Sequence, residues 1–200
     1  ANAFMDSVPM IAITGQTPTP LMGTDAFQEI DTFGITLPIV KHSFVVRDPA
    51  EIATVFAEAF ALATAGRPGP VLIDLPKDVT QASLAVPPGL DQTGPAPREC
   101  TVQPAPSAIA EAIALIEQAE KPLLYVGGGV GIAKAEDALR AFHAHTGIPA
   151  VATLKGLGAI ASGSENYLDM LGMHGGQAAN LAVQESDLLI ACGARFDDRA

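Results

Sequence analysis

The chain has 200 residues, of which 48% are hydrophobic and only 16% charged, and its formal net charge is −11. This length is sufficient for one large or two smaller domains, and the low charged fraction favours a globular, oligomeric protein over a disordered one. The acidic balance excludes nucleic acid and anionic membranes as the main partners. An anionic substrate would therefore need locally placed Arg and Lys side chains.

Cysteine usage, apolar runs and the chain ends further restrict the class of protein to which this chain can belong. Cys100 and Cys192 are far apart and form no CxxC motif, which predicts a cytoplasmic protein without disulfides. No apolar run approaches the ~20 residues of a membrane span, and no basic segment followed by an apolar one opens the chain. Because the chain begins at Ala1 rather than Met and stops shortly after an apolar run, we expect an excerpt of a longer polypeptide.

The first half predicts a strand, a helix and a second strand. Residues 8–14 are a short apolar run that is typical of a buried parallel strand. Asp48 can cap a helix that ends at Gly66 and carries apolar residues at helical spacing. Residues 71–75 follow as a strand. Alternation of this kind indicates a parallel α/β layer.

Residues 85–106 separate the two halves. This stretch is rich in proline, contains Gly89 and Gly94 and has little periodicity, so it predicts a semi-extended linker. We therefore expect one domain over residues 1–84 and a second over residues 107–200.

The second half repeats the alternation. Helices are predicted over 107–120 (with Ile109, Ile113 and Ile116 facing inward), 132–146 and 176–184, and strands over 122–126, 149–153 and 187–192. Gly127, Thr153 and Gly193 stand at the carboxyl ends of these strands, so their loops should share one sheet edge. That edge is where open α/β sheets bind ligands.

Three consecutive glycines, Gly127, Gly128 and Gly129, follow one predicted strand and precede a helix. Glycines in this position allow backbone amides to reach a phosphate at a helix start. The run does not match GxGxxG, and a simple tight turn explains it equally well.

Two cations flank the strand predicted over residues 71–75. Arg67 lies between a helix-ending glycine and a rigid Pro-Gly-Pro turn; it could pair with a phosphate or a polarised ring, or be a solvated loop charge. Lys77 lies between Asp74 and Asp78 in sequence. It could face an active-site cleft, or it could form an exposed ion pair of little energetic value.

The segment GTDAFQE, residues 23–29, predicts a loop that enters a helix. Phe27 could be a core residue and Gln28 a solvent-facing amide. Asp25 and Glu29 could act as an acid/base pair, although spacing by four residues more often indicates one solvated helix face.

Met170, Met173 and His174 lie among glycines, where a core-filling methionine would have little regular structure to pack from. This context favours a flavin site or an apolar substrate pocket over core packing. His174 has no Cys or His partner at ligand spacing, so we expect no metal site.

Mixed charges follow the last predicted strand. One of the two arginines, Arg195 or Arg199, could bind a substrate carboxylate through both guanidinium nitrogens, while Asp198 orients the other. An internal Arg-Asp salt bridge is the alternative.

Together these segments resemble the catalytic subunit of acetohydroxyacid synthase (acetolactate synthase), a thiamine-diphosphate enzyme. The resemblance covers essentially the whole chain outside the linker, and it is most specific in the motifs GTDAFQE, TLKGLGA, DMLGMHG and GARFDDR. It implies an α/β fold of two parallel-sheet units joined by the proline-rich linker. The first would be the later part of a pyrimidine-binding domain, and the second most of a central, Rossmann-like FAD-binding domain.

The activity implied by the resemblance is decarboxylation of pyruvate on thiamine diphosphate. The remaining two-carbon unit is then joined to a second 2-oxo acid, pyruvate or 2-oxobutyrate, in branched-chain amino-acid synthesis. The family's upstream glutamate and its downstream magnesium and diphosphate ligands are not in this sequence, so this segment alone is expected to be inactive. This segment itself would bind FAD, whereas thiamine diphosphate and Mg²⁺ would be bound in the full-length enzyme.

Site residues carry over from the family motifs position by position. The catalytic residues would be Gln28, Lys77 and Arg199. The substrate pocket, which is also the family's herbicide site, would include Pro18, Ala26, Phe27, Met173 and Asp198. The FAD-binding residues would be Arg67, Gly127, Gly128, Gly129, Thr153, Leu154, His174, Gly175, Gly193, Arg195 and Asp197.

The resemblance also implies a homodimer or homotetramer with a small regulatory subunit, located in the cytoplasm or, in a eukaryote, in a plastid or mitochondrion. Two alternatives remain open. One is another thiamine-diphosphate carboligase or decarboxylase, and the other is a non-catalytic nucleotide-binding module that uses only the glycine run.

Overall fold

The computed structural model describes residues 1–85 and 103–197. The chain divides into two compact units, residues 1–102 and 103–200. The division falls inside the stretch predicted as a linker, most of which (residues 86–102) lies outside the described residues.

The first unit is a three-stranded parallel sheet in the order β1-β3-β2 with helices around it. Its strands are β1 (Met10–Gln16), β2 (His42–Val45) and β3 (Pro70–Pro76), and its helices are α1 (Asn2–Met5), α2 (Thr32–Thr36), α3 (Ile52–Thr64) and α4 (Lys77–Gln81). The strands predicted over 8–14 and 71–75 are β1 and β3. Strand β2 was not predicted.

The core of this unit lies between β3 and α3. Val71 and Ile73 on β3 are fully buried, and they pack with Ala59 and Ala63 on α3. Since β3 is the central strand, both of its faces are covered, which explains its continuous apolar sequence. Phe60, also on α3, does not belong to this core, because its side chain is 49% exposed.

Helix α3 begins and ends as its sequence predicts. The Asp48 carboxylate accepts a hydrogen bond from the Ala50 amide at 2.9 Å and caps the 3-10 turn that leads into α3. Gly66, just beyond the helix, adopts a left-handed φ of 55°. The Lys41 ammonium donates to the carbonyl oxygens of Leu62 and Ala65, which satisfies the last turn of the helix. Partial burial lowers the pKa of Lys41.

The second unit is a four-stranded parallel sheet in the order β6-β5-β4-β7. Its strands are β4 (Pro122–Val126), β5 (Ala150–Ala152), β6 (Tyr167–Met170) and β7 (Leu188–Cys192), and its helices are α5 (Pro106–Gln118), α6 (Gly129–Ile132), α7 (Glu136–Thr146) and α8 (Gln177–Glu185). From β4 the chain adds β5 and β6 on one side and then returns to place β7 on the other. This order matches the Rossmann-like expectation.

Both faces of the second sheet are covered. Leu124 and Val126 belong to one buried cluster, and Leu123, Tyr125 and Val151 belong to another. Successive residues of β4 therefore alternate between two cores, as expected of a central parallel strand.

Three features of the second unit differ from prediction. Strand β6 was missed, because it is short and includes the polar Asp169. The helix predicted over 132–146 begins only at Glu136, as α7; Ile132 ends the separate short helix α6, and Lys134 between the two has a left-handed φ of 53°. Ile109 and Ile113 on α5 do not face inward: they are 47% and 50% exposed, and only Ile116 of the predicted trio packs on the core. Helical spacing defines a face but does not determine what covers it.

No helix in the described parts of the chain is both long and apolar enough to cross a membrane.

Candidate functional sites in the two units

A cavity of about 680 Å³ opens in the first unit at the carboxyl ends of β1 and β3. The carboxyl edge of a parallel sheet is the usual place for a ligand in an α/β protein. The residues that line this cavity are Ile13, Thr14, Gly15, Gln16, Thr17, Pro18, Phe27, Gln28, Leu75, Lys77 and Thr80.

Four of the predicted site residues meet at this cavity: Pro18, Phe27, Gln28 and Lys77. Ala26 lies on the same loop and is half-buried. Phe27 is 89% exposed, so the structure rules out a core role for it within the described chain. Lys77 begins α4, directly after β3. Pro18 and Phe27 of the predicted substrate pocket, and Gln28 and Lys77 of the predicted catalytic set, are therefore spatial neighbours in the first unit.

Gln28 has a strained backbone at the cavity wall. Its φ is 62°, in the left-handed region that costs a non-glycine residue about 1–2 kcal/mol. Strain of this kind persists only where the surrounding structure imposes it, and it concentrates at ligand sites.

Glu29 closes the loop that carries Phe27 and Gln28. Its carboxylate accepts hydrogen bonds from the Ala26 amide at 3.0 Å and from the Gly23 amide. The Gly23 and Ala26 amides hold the pKa of Glu29 below its usual range. Glu29 is thus occupied in shaping the loop, and the structure does not pair it with Asp25 as an acid and a base.

A buried carboxylate lies beneath the cavity, and sequence reasoning considered it only as a possible exposed partner of Lys77. Asp74 on β3 is 1% exposed. Its Oδ1 accepts a hydrogen bond from Thr14 Oγ1 at 2.7 Å, and its Oδ2 accepts one from Gln16 Nε2 at 3.0 Å. The signal in the sequence was a lone carboxylate within the apolar run Val71–Leu75.

Lys77 does not form the exposed ion pair that was its alternative interpretation. Within the described chain, neither Asp74 nor Asp78 pairs with its ammonium group. Asp78 instead binds Thr19, accepting from the backbone amide at 2.9 Å and from the hydroxyl. The Thr19 hydroxyl and then its amide lower the pKa of Asp78. The Lys77 ammonium therefore remains available to a ligand in the cavity.

Arg67 lies at the opposite end of β3 from Lys77 and does not line this cavity. Its Nε donates to Ser7 Oγ at 2.8 Å, and its Nη2 donates to the carbonyl oxygens of Phe4 and Met5 at 3.2 and 3.1 Å. The guanidinium also lies 5.8 Å from the centroid of the Phe4 ring. In this structure Arg67 thus binds the carboxyl end of α1. Its predicted contact with FAD remains a prediction.

The second candidate site is the carboxyl edge of the second sheet, where the glycines pack loops against one another. The Gly127 amide donates to the Cys192 carbonyl at 2.8 Å, and the Gly129 amide donates to the Gly193 carbonyl at 2.9 Å. A Cβ on Gly127 would lie 2.3 Å from the Gly193 oxygen, so only glycine fits there. Two of the three amides expected to reach a phosphate are therefore engaged within the protein.

The same edge exposes other predicted cofactor residues. Thr153 follows β5; its amide donates to the Val126 carbonyl at 2.8 Å, and its Oγ1 accepts from the Gly156 amide at 3.3 Å. The next residue, Leu154, is 70% exposed. These residues lie beside the point where strand order reverses between β4 and β7, at which α/β sheets form their ligand crevice.

The loop from β6 to α8 carries Met173 and His174, both of which are exposed, Met173 by 64%. Gly175 packs against the preceding backbone, since a Cβ there would lie 2.4 Å from the Leu171 carbonyl carbon. The Asn180 side chain on α8 binds the Gly172 backbone. No sequence pattern singled out Asn180.

After β7, Arg195 forms an ion pair with Asp197. This is an internal Arg-Asp salt bridge of the kind raised as the alternative for this segment. The centroids of the Phe196 and Tyr125 rings are 5.1 Å apart. Burial, and to a lesser extent Asp197, raises the pKa of the Tyr125 phenol. Asp198 and Arg199 lie outside the described residues.

In the described parts of the chain, no three His, Cys, Asp or Glu side chains are grouped so that they could hold a metal ion. The described residues thus offer two candidate sites, neither of which contains such a group of side chains. One is the open cavity in the first unit, and the other is the carboxyl edge of the second sheet, where glycines allow the loops to pack closely.

Comparison with known proteins identifies the family. Residues 109–200 match the family "Thiamine pyrophosphate enzyme, central domain". The whole chain is 54% identical to the acetolactate synthase large subunit of Parasynechococcus marenigrum, 52% to the acetolactate synthase isozyme 2 large subunit of Escherichia coli and 53% to the acetolactate synthase large subunit of Corynebacterium glutamicum. It covers 32%, 35% and 32% of these proteins. The chain thus spans about a third of the length of the relatives that it matches, and it belongs to the acetolactate synthase large-subunit family of thiamine pyrophosphate enzymes.

Proposed function

We propose that this chain is part of an acetolactate synthase catalytic subunit. The enzyme would decarboxylate pyruvate and join the remaining two-carbon unit to a second 2-oxo acid for branched-chain amino-acid synthesis. The observation that carries the proposal is the first-unit cavity, where Lys77, Gln28 and the exposed Phe27 meet, in a chain homologous over its full length to such subunits.

The cavity suits a small anionic substrate in a partly apolar environment. Ile13, Phe27 and Leu75 form an apolar part of the cavity lining, and a charge next to apolar groups is attracted more strongly than in bulk solvent. The Lys77 ammonium would attract the carboxylate of a 2-oxo acid. The Gln28 amide could donate a hydrogen bond to its keto oxygen.

The acceptor 2-oxo acid retains its carboxylate and needs a second cation. Arg199, which lies outside the described residues, would bind it with both guanidinium nitrogens, and Asp198 would orient that arginine. Met173, exposed and flexible, would contact the acceptor's alkyl group. Thiamine diphosphate, held with Mg²⁺ by residues outside this chain, would supply the stabilisation of negative charge that decarboxylation requires.

FAD would bind at the carboxyl edge of the second sheet. The close packing of the loops after β4 and β7, and the exposure of Leu154 and His174 beside them, favour a flat ligand there. Because the Gly127 and Gly129 amides already have protein acceptors, we assign the contacts chiefly to the loops after β5 and β6 and to the segment from Gly193 to Asp197. The proposed FAD-binding residues also include Gly128, Gly175 and Arg67.

The assembly is also a proposal. Matched relatives are named large subunits, which supports a smaller regulatory partner and an oligomer for the full-length protein. The cysteine usage favours a cytoplasmic location.

The test uses the full-length protein that contains this chain, supplied with thiamine diphosphate, Mg²⁺, FAD and pyruvate. We expect acetolactate formation, and we expect Lys77→Ala to lower kcat/KM about 100-fold, the magnitude typical for loss of a charged substrate contact. Lys121→Ala is the matched control, since the Lys121 ammonium group is exposed and pairs with Glu185. Decarboxylation without condensation would indicate another thiamine-diphosphate enzyme. Binding of FAD with no turnover of any 2-oxo acid would indicate a nucleotide-binding module.

A further inference from the structure

We propose that Asp78 is a positioning residue for the first-unit cavity. Its carboxylate holds the loop of residues 17–30 against the start of α4, so that Phe27, Gln28 and Lys77 face the same space. The proposal deepens the function proposed above and depends on it for the identity of the substrate.

The contact joins two segments that are 59 positions apart in the chain. Asp78 Oδ1 accepts a hydrogen bond from the Thr19 backbone amide at 2.9 Å, and Oδ2 accepts one from the Thr19 hydroxyl. Both carboxylate oxygens are therefore directed at one residue of the loop. Hydrogen bonds to an ionised acceptor are about twice as strong as those between neutral groups.

The position of this contact connects it to the cavity. Thr19 directly follows Pro18, and Asp78 directly follows Lys77; Pro18 and Lys77 both line the cavity. Thr80, one turn further along α4, lines it as well. The Asp78–Thr19 contact thus fixes one cavity wall relative to the other without itself being part of the lining.

A second carboxylate anchors the far end of the same loop. Gln16 Nε2 donates both to Asp74 Oδ2 and to the Ile30 carbonyl, at 3.0 and 2.8 Å. Gln16 Oε1 accepts from the Thr17 amide at 2.9 Å, which leaves the side-chain amide with only one favourable orientation. The loop is thus held at its start by Asp78 and at its end by Gln16, whose side-chain amide is bound by Asp74.

Hydrogen bonds from the Gly23 and Ala26 amides to Glu29 shape the loop from within, and these anchors attach it to the sheet. Asp25 and Gln28 adopt left-handed φ values of 56° and 62°, and Phe27 makes little contact with the core. When Asp78 is removed, the strained residues are free to relax. A displacement of about 1 Å in a substrate-positioning group is sufficient to reduce turnover or binding by up to 100-fold.

The experiment compares Asp78→Ala, Asp78→Asn and Thr19→Val in the full-length holoenzyme, with Glu58→Ala as the matched control. Glu58 is an exposed carboxylate on α3, away from the cavity lining. We expect Asp78→Ala to raise the KM for pyruvate about tenfold while kcat changes by less than about twofold. Hydrogen exchange of the amides of residues 17–30 should accelerate, and exchange in α3 should not.

Asparagine should rescue much of the effect, because its Oδ1 still accepts from the Thr19 amide and its nitrogen can donate to the Thr19 hydroxyl. Thr19→Val removes only the hydroxyl contact and should give an intermediate KM, which keeps the proposal testable if Asp78→Ala fails to fold. A KM within twofold of the parent's in Asp78→Ala, or unchanged exchange in residues 17–30, would overturn the proposal. If the parent protein forms no acetolactate, the proposed function fails, and the hydrogen-exchange comparison alone decides the role of Asp78.

Discussion

The side-chain amide of Asn180 binds both backbone polar groups of Gly172. Asn180 Oδ1 accepts from the Gly172 amide at 2.8 Å, and Nδ2 donates to the Gly172 carbonyl at 3.1 Å. Gly172 has a φ of 99°, which an L-residue rarely adopts. This pair attaches the turn that carries Met173 and His174 to helix α8, and it explains how a glycine-rich loop keeps one conformation.

We expect Asn180→Ala to loosen this turn. The Gly172 amide would lose its acceptor, and the Gly172 carbonyl would keep the bond from the Gly175 amide at 2.9 Å but lose the one from Asn180. Amide exchange at residues 172–176 should therefore accelerate at least tenfold, and FAD affinity should fall in the full-length protein. Hydrogen exchange with mass spectrometry and a FAD titration measure the two effects. Gln184→Ala, at an exposed position on the same helix, is the control. Unchanged exchange at residues 172–176 would show that the glycines alone define the turn.

Gly127→Ala should be strongly destabilising. The new Cβ would lie 2.3 Å from the Gly193 oxygen and 2.6 Å from the Ala194 Cα, and both of these are backbone atoms that cannot rotate away. Overpacking of this kind costs at least about 1–3 kcal/mol. We expect a lower Tm and a lower soluble yield of the full-length protein. Gly131→Ala is the matched control, since its Cβ would meet Glu136 Oε1 at an ordinary 3.6 Å. Equal losses in both variants would contradict the packing argument.

Asp187 should make stability depend on pH. Its carboxylate accepts hydrogen bonds from the Glu120 and Lys121 amides at 2.7 and 2.9 Å, and these amides hold its pKa below the usual value. A depressed folded-state pKa contributes stability that is present above about pH 4, the ordinary carboxyl pKa, and is lost as the pH falls through the folded value.

Thermal unfolding between pH 7 and pH 3 tests this assignment. Asp187→Asn should lower the Tm at pH 7 and show a smaller loss on acidification than the parent. Glu165→Gln, an exposed carboxylate change in the same unit, should follow the parent. A Tm of Asp187→Asn that falls with acid as steeply as the parent's would exclude Asp187 as a source of the pH dependence.

Arg67→Ala should weaken FAD binding about tenfold in a fluorescence-quenching titration of the full-length protein, if the proposed FAD contact is correct. The substitution also removes the contacts of Arg67 with α1, so a control must separate the two roles. Ser7→Ala removes the 2.8 Å bond to Nε but leaves the guanidinium in place. If Ser7→Ala weakens FAD binding as much as Arg67→Ala does, the effect comes from α1 and not from a contact with the flavin.

Much of the fold could be predicted from local sequence signals. The apolar runs at β1, β3 and β4, and the Asp48 cap and Gly66 end of α3, are properties of short segments, and the structure places these elements within a few residues of their predicted bounds. Parallel topology followed from the alternation of strands and helices. Pro18, Phe27, Gln28 and Lys77 were found through family motifs, and the structure groups them at one cavity.

The contacts that shape the two sites could not be predicted in this way. Thr14 meets Asp74 across 60 positions because β1 and β3 pair in register, and Thr19 meets Asp78 because the loop folds back over the same sheet edge. Spacing along the chain carries no information about such partners. The same holds for Ile109 and Ile113, whose helical face was predictable but whose exposure was not. Local periodicity and motifs were therefore enough to predict most helices and strands, their alternation and the family, but not the short strands β2 and β6. The polar groups that anchor each loop follow instead from strand register and loop packing, because these bring together residues that are distant in the chain.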